Sequence, residues 1–210
     1  AASDVYKRQI DKITPPMGNR EYSFISAVLQ TPYSMRIGPD NNIYYVDGVN
    51  PYIIKQELST GSPSYAALPG IAFDLDFDEN GNFYCGGSGQ NLYKVTTNLS
   101  SSVAADYADI SIRAVRVFNG FVYVGGNYSG TDSINPNIGI WKNQILSSDG
   151  ELGEKEVVLN WEEFAGSNSN ITCITFDQNG TMYISSDANI GIGTYSADGK
   201  FSELYPKIIF

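Results

Sequence analysis

The chain has 210 residues, with 13 Lys and Arg against 23 Asp and Glu and no histidine. A formal charge of −10 leaves no basic surface to neutralise nucleic-acid phosphates, and the missing imidazole removes Ser-His and Cys-His nucleophile systems, His metal sites and a His general base. Two cysteines make neither a disulfide framework nor a four-ligand zinc site, and no apolar run reaches the ~18 residues of a membrane span.

At the start of the chain, Asp4-Val5-Tyr6-Lys7-Arg8-Gln9 resembles a translation of the transposase mosaic end used in sequencing libraries (GAT-GTG-TAT-AAG-AGA-CAG). Residues 1–9 are therefore expected to be foreign to the protein and stand outside the fold reasoning. On that expectation any signal peptide is missing and the chain is part of a longer reading frame. Residues 10–210 read as all-β. Their Tyr, Phe, Val and Ile suit a pleated surface, and scattered Gly, Asn and Asp mark turns. No long stretch carries the i, i+3, i+4, i+7 apolar pattern of a helix, and the best helical candidate, 101–109, is short.

Tyr22 to Val28 reads as one strand, and after it a repeat organises the chain. Met35 to Tyr44, Leu75 to Tyr84, Val115 to Tyr123 and Ile174 to Tyr183 each hold an apolar strand, a tight polar turn and a second strand ending on Tyr. The tyrosines stand 40, 39 and 60 residues apart, which indicates duplication with an insertion in the third unit. Asn80-Gly81, Asn119-Gly120 and Asn179-Gly180 supply the positive φ of a type I′ hairpin, with Asp40-Asn41 a weaker version. Third strands follow at Ile53 to Leu58, Leu92 to Thr97, Ile138 to Asn143 and Ile190 to Tyr195. Fourth strands follow at Ser64 to Leu68, Val103 to Tyr107, Glu156 to Leu159 and Phe201 to Tyr205. The extra residues of the third unit fall in 128–137 and around 147–169, both with loop composition. A period near 40 built only of strands predicts propeller blades, with cores at about 33–69, 70–109, 110–168 and 169–206.

The stretch Ile37-Gly38-Pro39-Asp40-Asn41-Asn42-Ile43-Tyr44-Tyr45-Val46-Asp47-Gly48 resembles the strand-turn-strand signature of β-propellers related to the NHL repeat. That group includes the SMP-30/gluconolactonase-like and virginiamycin B lyase-like proteins. The resemblance covers four blade cores and implies a fragment of a six- or seven-bladed propeller, with a closed four-bladed ring as the rival. The relatives' lactonase activity needs a metal-binding set that cannot be placed residue by residue here. The lyase-like relatives imply a catalytic His, which this chain lacks.

Aligning the units puts Arg36, Asp76, Arg116 and Thr175 at one position of the innermost strand, beside the central channel. The alternating signs predict ion pairs of Asp76 with Arg36 and with Arg116. They read as a structural charge ring or, alternatively, as a channel-mouth site holding an anion. Alternation puts Asp74, Asp76 and, if the strand runs that far, Asp78 on one face. Asp76, Asp78 and Asn80 also imitate the first half of a calcium loop, which fails at its twelfth position, Gly87. The preferred reading of that run is a polar strand edge entering a hairpin, with no resident cofactor. Cys85 and Cys173 are expected to be buried free thiols, and Tyr44, Tyr84, Tyr123 and Tyr183 to pack between blades. Trp141 and Trp161 are expected to anchor core or loops. Gly48, Gly86-Gly87 and Gly125-Gly126 have neither the helix nor the Lys-Ser/Thr of a phosphate loop.

The expected function is a non-catalytic binding module of an exported bacterial protein, extracellular or periplasmic, with a protein or carbohydrate ligand. One alternative is a metal-dependent hydrolase of the sugar-lactonase type with ligands outside this chain. The other is the extracellular sensor domain of a larger receptor.

Overall fold

The alternation of apolar and polar residues through the repeats resolves into strands wherever both faces can be covered. The computed structural model describes residues 10–14, 19–25, 32–87, 91–131, 133–187 and 190–206. Residues 1–9, including the adapter-like run, and the end of the Tyr22 to Val28 strand lie outside them.

Strands β1 (Ile10–Thr14) and β2 (Asn19–Ile25) form a two-stranded antiparallel sheet. Four four-stranded antiparallel sheets follow, each a simple meander. The first holds β3 (Pro32–Ile37), β4 (Ile43–Asp47), β5 (Tyr52–Gln56) and β6 (Pro63–Ala67). The second holds β7 (Asp74–Phe77), β8 (Phe83–Gly86), β9 (Leu92–Val95) and β10 (Ser101–Ala105). The third holds β11 (Ile110–Phe118), β12 (Phe121–Tyr128), β13 (Ile138–Ile145) and β14 (Leu152–Asn160). The fourth holds β15 (Ile171–Phe176), β16 (Met182–Ser186), β17 (Ile190–Tyr195) and β18 (Phe201–Pro206). The innermost strands lie side by side, β3 by β7, β7 by β11 and β11 by β15. This is the blade arrangement of a β-propeller. Among the described residues no helix is long and apolar enough to cross a membrane.

The repeat alignment is also a structural register. Arg36 pairs with Tyr44, Asp76 with Tyr84, Arg116 with Tyr123 and Thr175 with Tyr183, at the same place in each blade. Each apolar core belongs to two neighbouring blades. Tyr44, Val46 and Ile53 of the first meet Leu75, Phe83 and Cys85 of the second. Tyr84 and Leu92 of the second meet Val115, Val124 and Trp141 of the third. Ile138, Ile140 and Trp161 then meet Ile171, Ile174 and Ile184 of the fourth. A side chain such as Leu75, with no exposed surface, contributes about 2 kcal/mol of apolar burial. Because β8 is covered on both faces, its four residues are all buried. Gly86 and Gly125 make that closeness possible. A Cβ on Gly86 would meet Ile112 at 2.5 Å, and one on Gly125 would meet Ile171 and Ile174 at 2.9 Å.

The hairpins correct the turn assignment. Only Asn119-Gly120 has positive φ at both residues, 47° and 76°, as a type I′ turn requires. The other three hairpins are one residue longer, with a single left-handed residue, Asn41, Gly81 or Gly180, closing a type I turn and bulge. The 101–109 segment begins as β10, and the single helical turn α1 (Glu162–Ala165) stands in the third unit's insertion. Trp161, immediately before α1, donates its backbone N–H to Ile138 O at 2.9 Å and buries its indole completely, as Trp141 does. Both tryptophans are anchors rather than surface platforms.

Candidate functional site

The free edge of each innermost strand presents backbone groups that no fifth strand satisfies. On β11 and β15, side chains of the preceding blade take some of them. Asp74 and Asp76, two residues apart on β7, reach the edge of β11, where Asp74 Oδ2 accepts Val115 N–H at 2.9 Å and Asp76 Oδ2 accepts Val117 N–H at 2.8 Å. From β11, Arg116 Nε donates to Ile174 O of β15 at 2.8 Å.

The two predicted ion pairs are formed. Asp76 lies 3.5 Å from Arg36 Nε and 3.5 Å from Arg116. Sequence reasoning placed Asp74 on the right face but gave it no partner. It is buried, takes Arg36 at 3.2 Å and accepts Ser34 Oγ at 2.5 Å. Its signal was the i, i+2 spacing with Asp76. Thr175 is not brought into this network. It stands at the equivalent register, but its side chain is exposed and has no hydrogen-bond partner among the described residues.

The calcium-like set does not converge either. Asp76 faces the arginines, whereas Asp78 is consumed by its own turn. Its carboxylate accepts Asn80 N–H at 3.0 Å, Asn82 N–H at 2.8 Å, the Asn82 amide at 2.9 Å and Tyr84 OH at 3.4 Å. The Asn80 side chain joins neither carboxylate. Among the described residues no group of three His, Cys, Asp or Glu side chains could hold a metal ion. Three of the repeated tyrosines pack between blades, Tyr84 in the core of the second and third blades, Tyr44 5.0 Å from Phe77 and Tyr123 4.7 Å from Phe176, whereas Tyr183 is half-buried and joins none of these inter-blade cores. Their hydroxyls have a second role, with Tyr44 donating to Asp40, Tyr84 to Asp78 and Tyr183 to Asp177. Burial first, then hydrogen bonding to Asp40, pushes the Tyr44 phenol up to about 12.

Cys85 is buried and its thiol is pushed up by desolvation, then by Asp74. Cys173 is a correction. It is free but exposed, on the side of β15 turned away from the third blade's core, with Arg116 at 3.9 Å.

At the end of the innermost strands where β3 and β15 begin, the charged row opens into a cleft. Two adjoining hollows of 350 and 310 Å³ share Tyr33, Phe73, Arg113 and Thr172, so all four blades contribute. Both volumes fall in the range of small-ligand sites. Tyr33 packs on Phe73 with ring centres 5.0 Å apart, and the Arg113 guanidinium lies 4.8 Å from the Phe73 ring centre. Arg113 is exposed and has no carboxylate or hydrogen-bond partner among the described residues. Arg36 lines the smaller hollow. Arg113 was not singled out by the sequence, because it sits three residues outside the repeat position that Arg116 occupies.

Comparison with solved structures places the chain among β-propellers. Virginiamycin B lyase from Staphylococcus aureus matches 82% of this chain with 14% identity and a TM-score of 0.58. A chain of the nidogen/laminin complex covers 94% with 13% identity and a TM-score of 0.68. The gluconolactonase of Xanthomonas campestris covers 94% with 12% identity and a TM-score of 0.67. The chain spans 55% of the lyase's length, 74% of the nidogen/laminin chain and 68% of the gluconolactonase. No family model matches the chain, and no curated protein matches it in sequence. The architecture is therefore shared with two enzymes and with a chain from a protein complex, and the fold alone does not choose among their activities.

Proposed function

We propose that this propeller is a non-catalytic binding module of an exported protein, and that its ligand is a small anion-bearing molecule seated in the Tyr33-Phe73-Arg113 cleft. The observation that carries this reading is Arg113, an exposed cation 4.8 Å from the Phe73 ring centre without an acidic partner among the described residues, in a chain of charge −10. A guanidinium held beside a ring by a cation–π contact still has N–H donors for a carboxylate or sulfate, and the aromatic pair offers a surface for the ligand's apolar part. Asp74 and Asp76 are already committed to Arg36, Arg116 and the β11 edge, so the charge row supports the cleft rather than supplying a reactive group.

Isothermal titration with citrate, glucuronate and inorganic sulfate tests this. At least one should bind, more weakly as salt rises, and Arg113→Gln should lose about tenfold in affinity with its folding intact. Indifference of binding to that substitution would remove the reading. The hydrolase of the sugar-lactonase type remains the competing proposal. Calcium-dependent thermal stabilisation together with lactone turnover would favour it over the binding module.

A further inference from the structure

At the opposite end of the innermost strands, the hairpin turns of the second and third blades and the β13–β14 loop enclose a separate groove of 610 Å³. Its walls include Val117, Phe118, Ile145 and Leu146, an apolar surface that Phe118 stiffens by stacking on Phe176 at 4.4 Å. Around it stand Glu79, Asn80, Asn119 and Ser148, all exposed. None of these four side chains has a hydrogen-bond or ion-pair partner among the described residues.

We propose that this groove is a second ligand site, and that it takes a neutral saccharide. Charge argues against an anion, and the uncommitted side chains offer a cation a single carboxylate to pair with. No basic side chain lines the groove, so an anion meets only the like charges of Glu79 and Asp78. A cation is drawn by the charges of Glu79 and Asp78 but can pair directly only with Glu79, because the Asp78 oxygens are taken by Asn80, Asn82 and Tyr84. What remains uncommitted is two carboxamides, one hydroxyl and one carboxylate beside an aromatic and aliphatic surface. Carboxamides donate and accept at once, as sugar hydroxyls do, and a sugar's C–H face packs on apolar side chains. The groove shares no lining residue with the Arg113 cleft, so each site stands or falls alone.

The test is an NMR titration of the backbone amides of Asn80, Gly120 and Ser148 with cellobiose, maltose, xylobiose and chitobiose. Glucuronate and Nα-acetyl-lysine methylamide serve as the charged probes. One or more disaccharides should shift those amides with a Kd of about 1 mM or tighter. Asn80→Ala should weaken the response about tenfold and Leu146→Arg should abolish it, both with unchanged folding. No shift with any of the four disaccharides overturns the proposal. So does a stronger response to either charged probe, or an unchanged response in both variants.

Discussion

Asp76 accepts the backbone N–H of Val117 at 2.8 Å, so a side chain of one blade occupies the open edge of the next. The same carboxylate separates Arg36 from Arg116. Asp76→Ala strands both: an edge N–H loses its acceptor and two guanidinium groups lose the charge between them. The expected cost is about 3 kcal/mol in urea unfolding, with smaller loss for Asp76→Asn, which keeps an oxygen for Val117. Binding in the Arg113 cleft, measured per folded molecule, should be retained. A variant that keeps full stability but loses the ligand would make the row a binding element instead.

Asp78 and Tyr84 form a smaller network at the second blade's hairpin, which the Tyr84 hydroxyl also ties to Gly150 O of the third blade at 3.2 Å. Four donors converge on the Asp78 carboxylate. Asp78→Ala should cost about 2 kcal/mol and Tyr84→Phe about 1 kcal/mol, with a double-mutant cycle showing that the two effects overlap. Tyr123→Phe is the control. The third blade turns through Asn119-Gly120 without an aspartate, and the Tyr123 hydroxyl has no partner among the described residues, so stability should stay within about 0.5 kcal/mol.

The contrast between those blades shows what the sequence made legible. Repeated Tyr at near-equal spacing and Asn-Gly at the bends located the hairpins, because turn chemistry and alternation are local. The turn type was not legible from the dipeptide. Asn80-Gly81 and Asn119-Gly120 look alike, yet one more loop residue in the former shifts the left-handed conformation to Gly81 alone. The Arg36-Asp76-Arg116 row followed from aligning repeats. The Arg113 cleft did not, because Tyr33, Phe73 and Arg113 converge only when four strand ends meet in space. Cys173 was misplaced for a related reason. Its β-strand position resembles a core one, and burial there depends on whether another sheet covers that side.

Asp40 should give the first blade a specific acid sensitivity. Burial raises its pKa, but hydrogen bonds from Lys55, Asn42 and Tyr44 outweigh that and hold the carboxyl well below the usual range. Lys55 is correspondingly raised, chiefly by its bond to Asp40. A depressed folded-state pKa contributes stability that is complete above the unfolded value of about 4 and is lost as pH falls through the folded one. The stability difference between wild type and Asp40→Asn should therefore be constant from about pH 7 to 5 and shrink below about 4. A difference that persists unchanged at low pH would mean that the charge of Asp40 is not what stabilises the turn.

The two thiols should separate by access. Cys85 lies in the core between the first and second blades with no exposed surface, and desolvation disfavours its thiolate. Cys173 is exposed on β15, with the Arg116 guanidinium beside it. Since the thiolate is the attacking species, iodoacetamide should label Cys173 in the native protein and leave Cys85 unmodified until denaturant is added. Mass spectrometry after native labelling should show one adduct, lost in Cys173→Ser. Two adducts under native conditions would mean that the first and second blades open on the labelling timescale, and that their shared core is weaker than its burial implies.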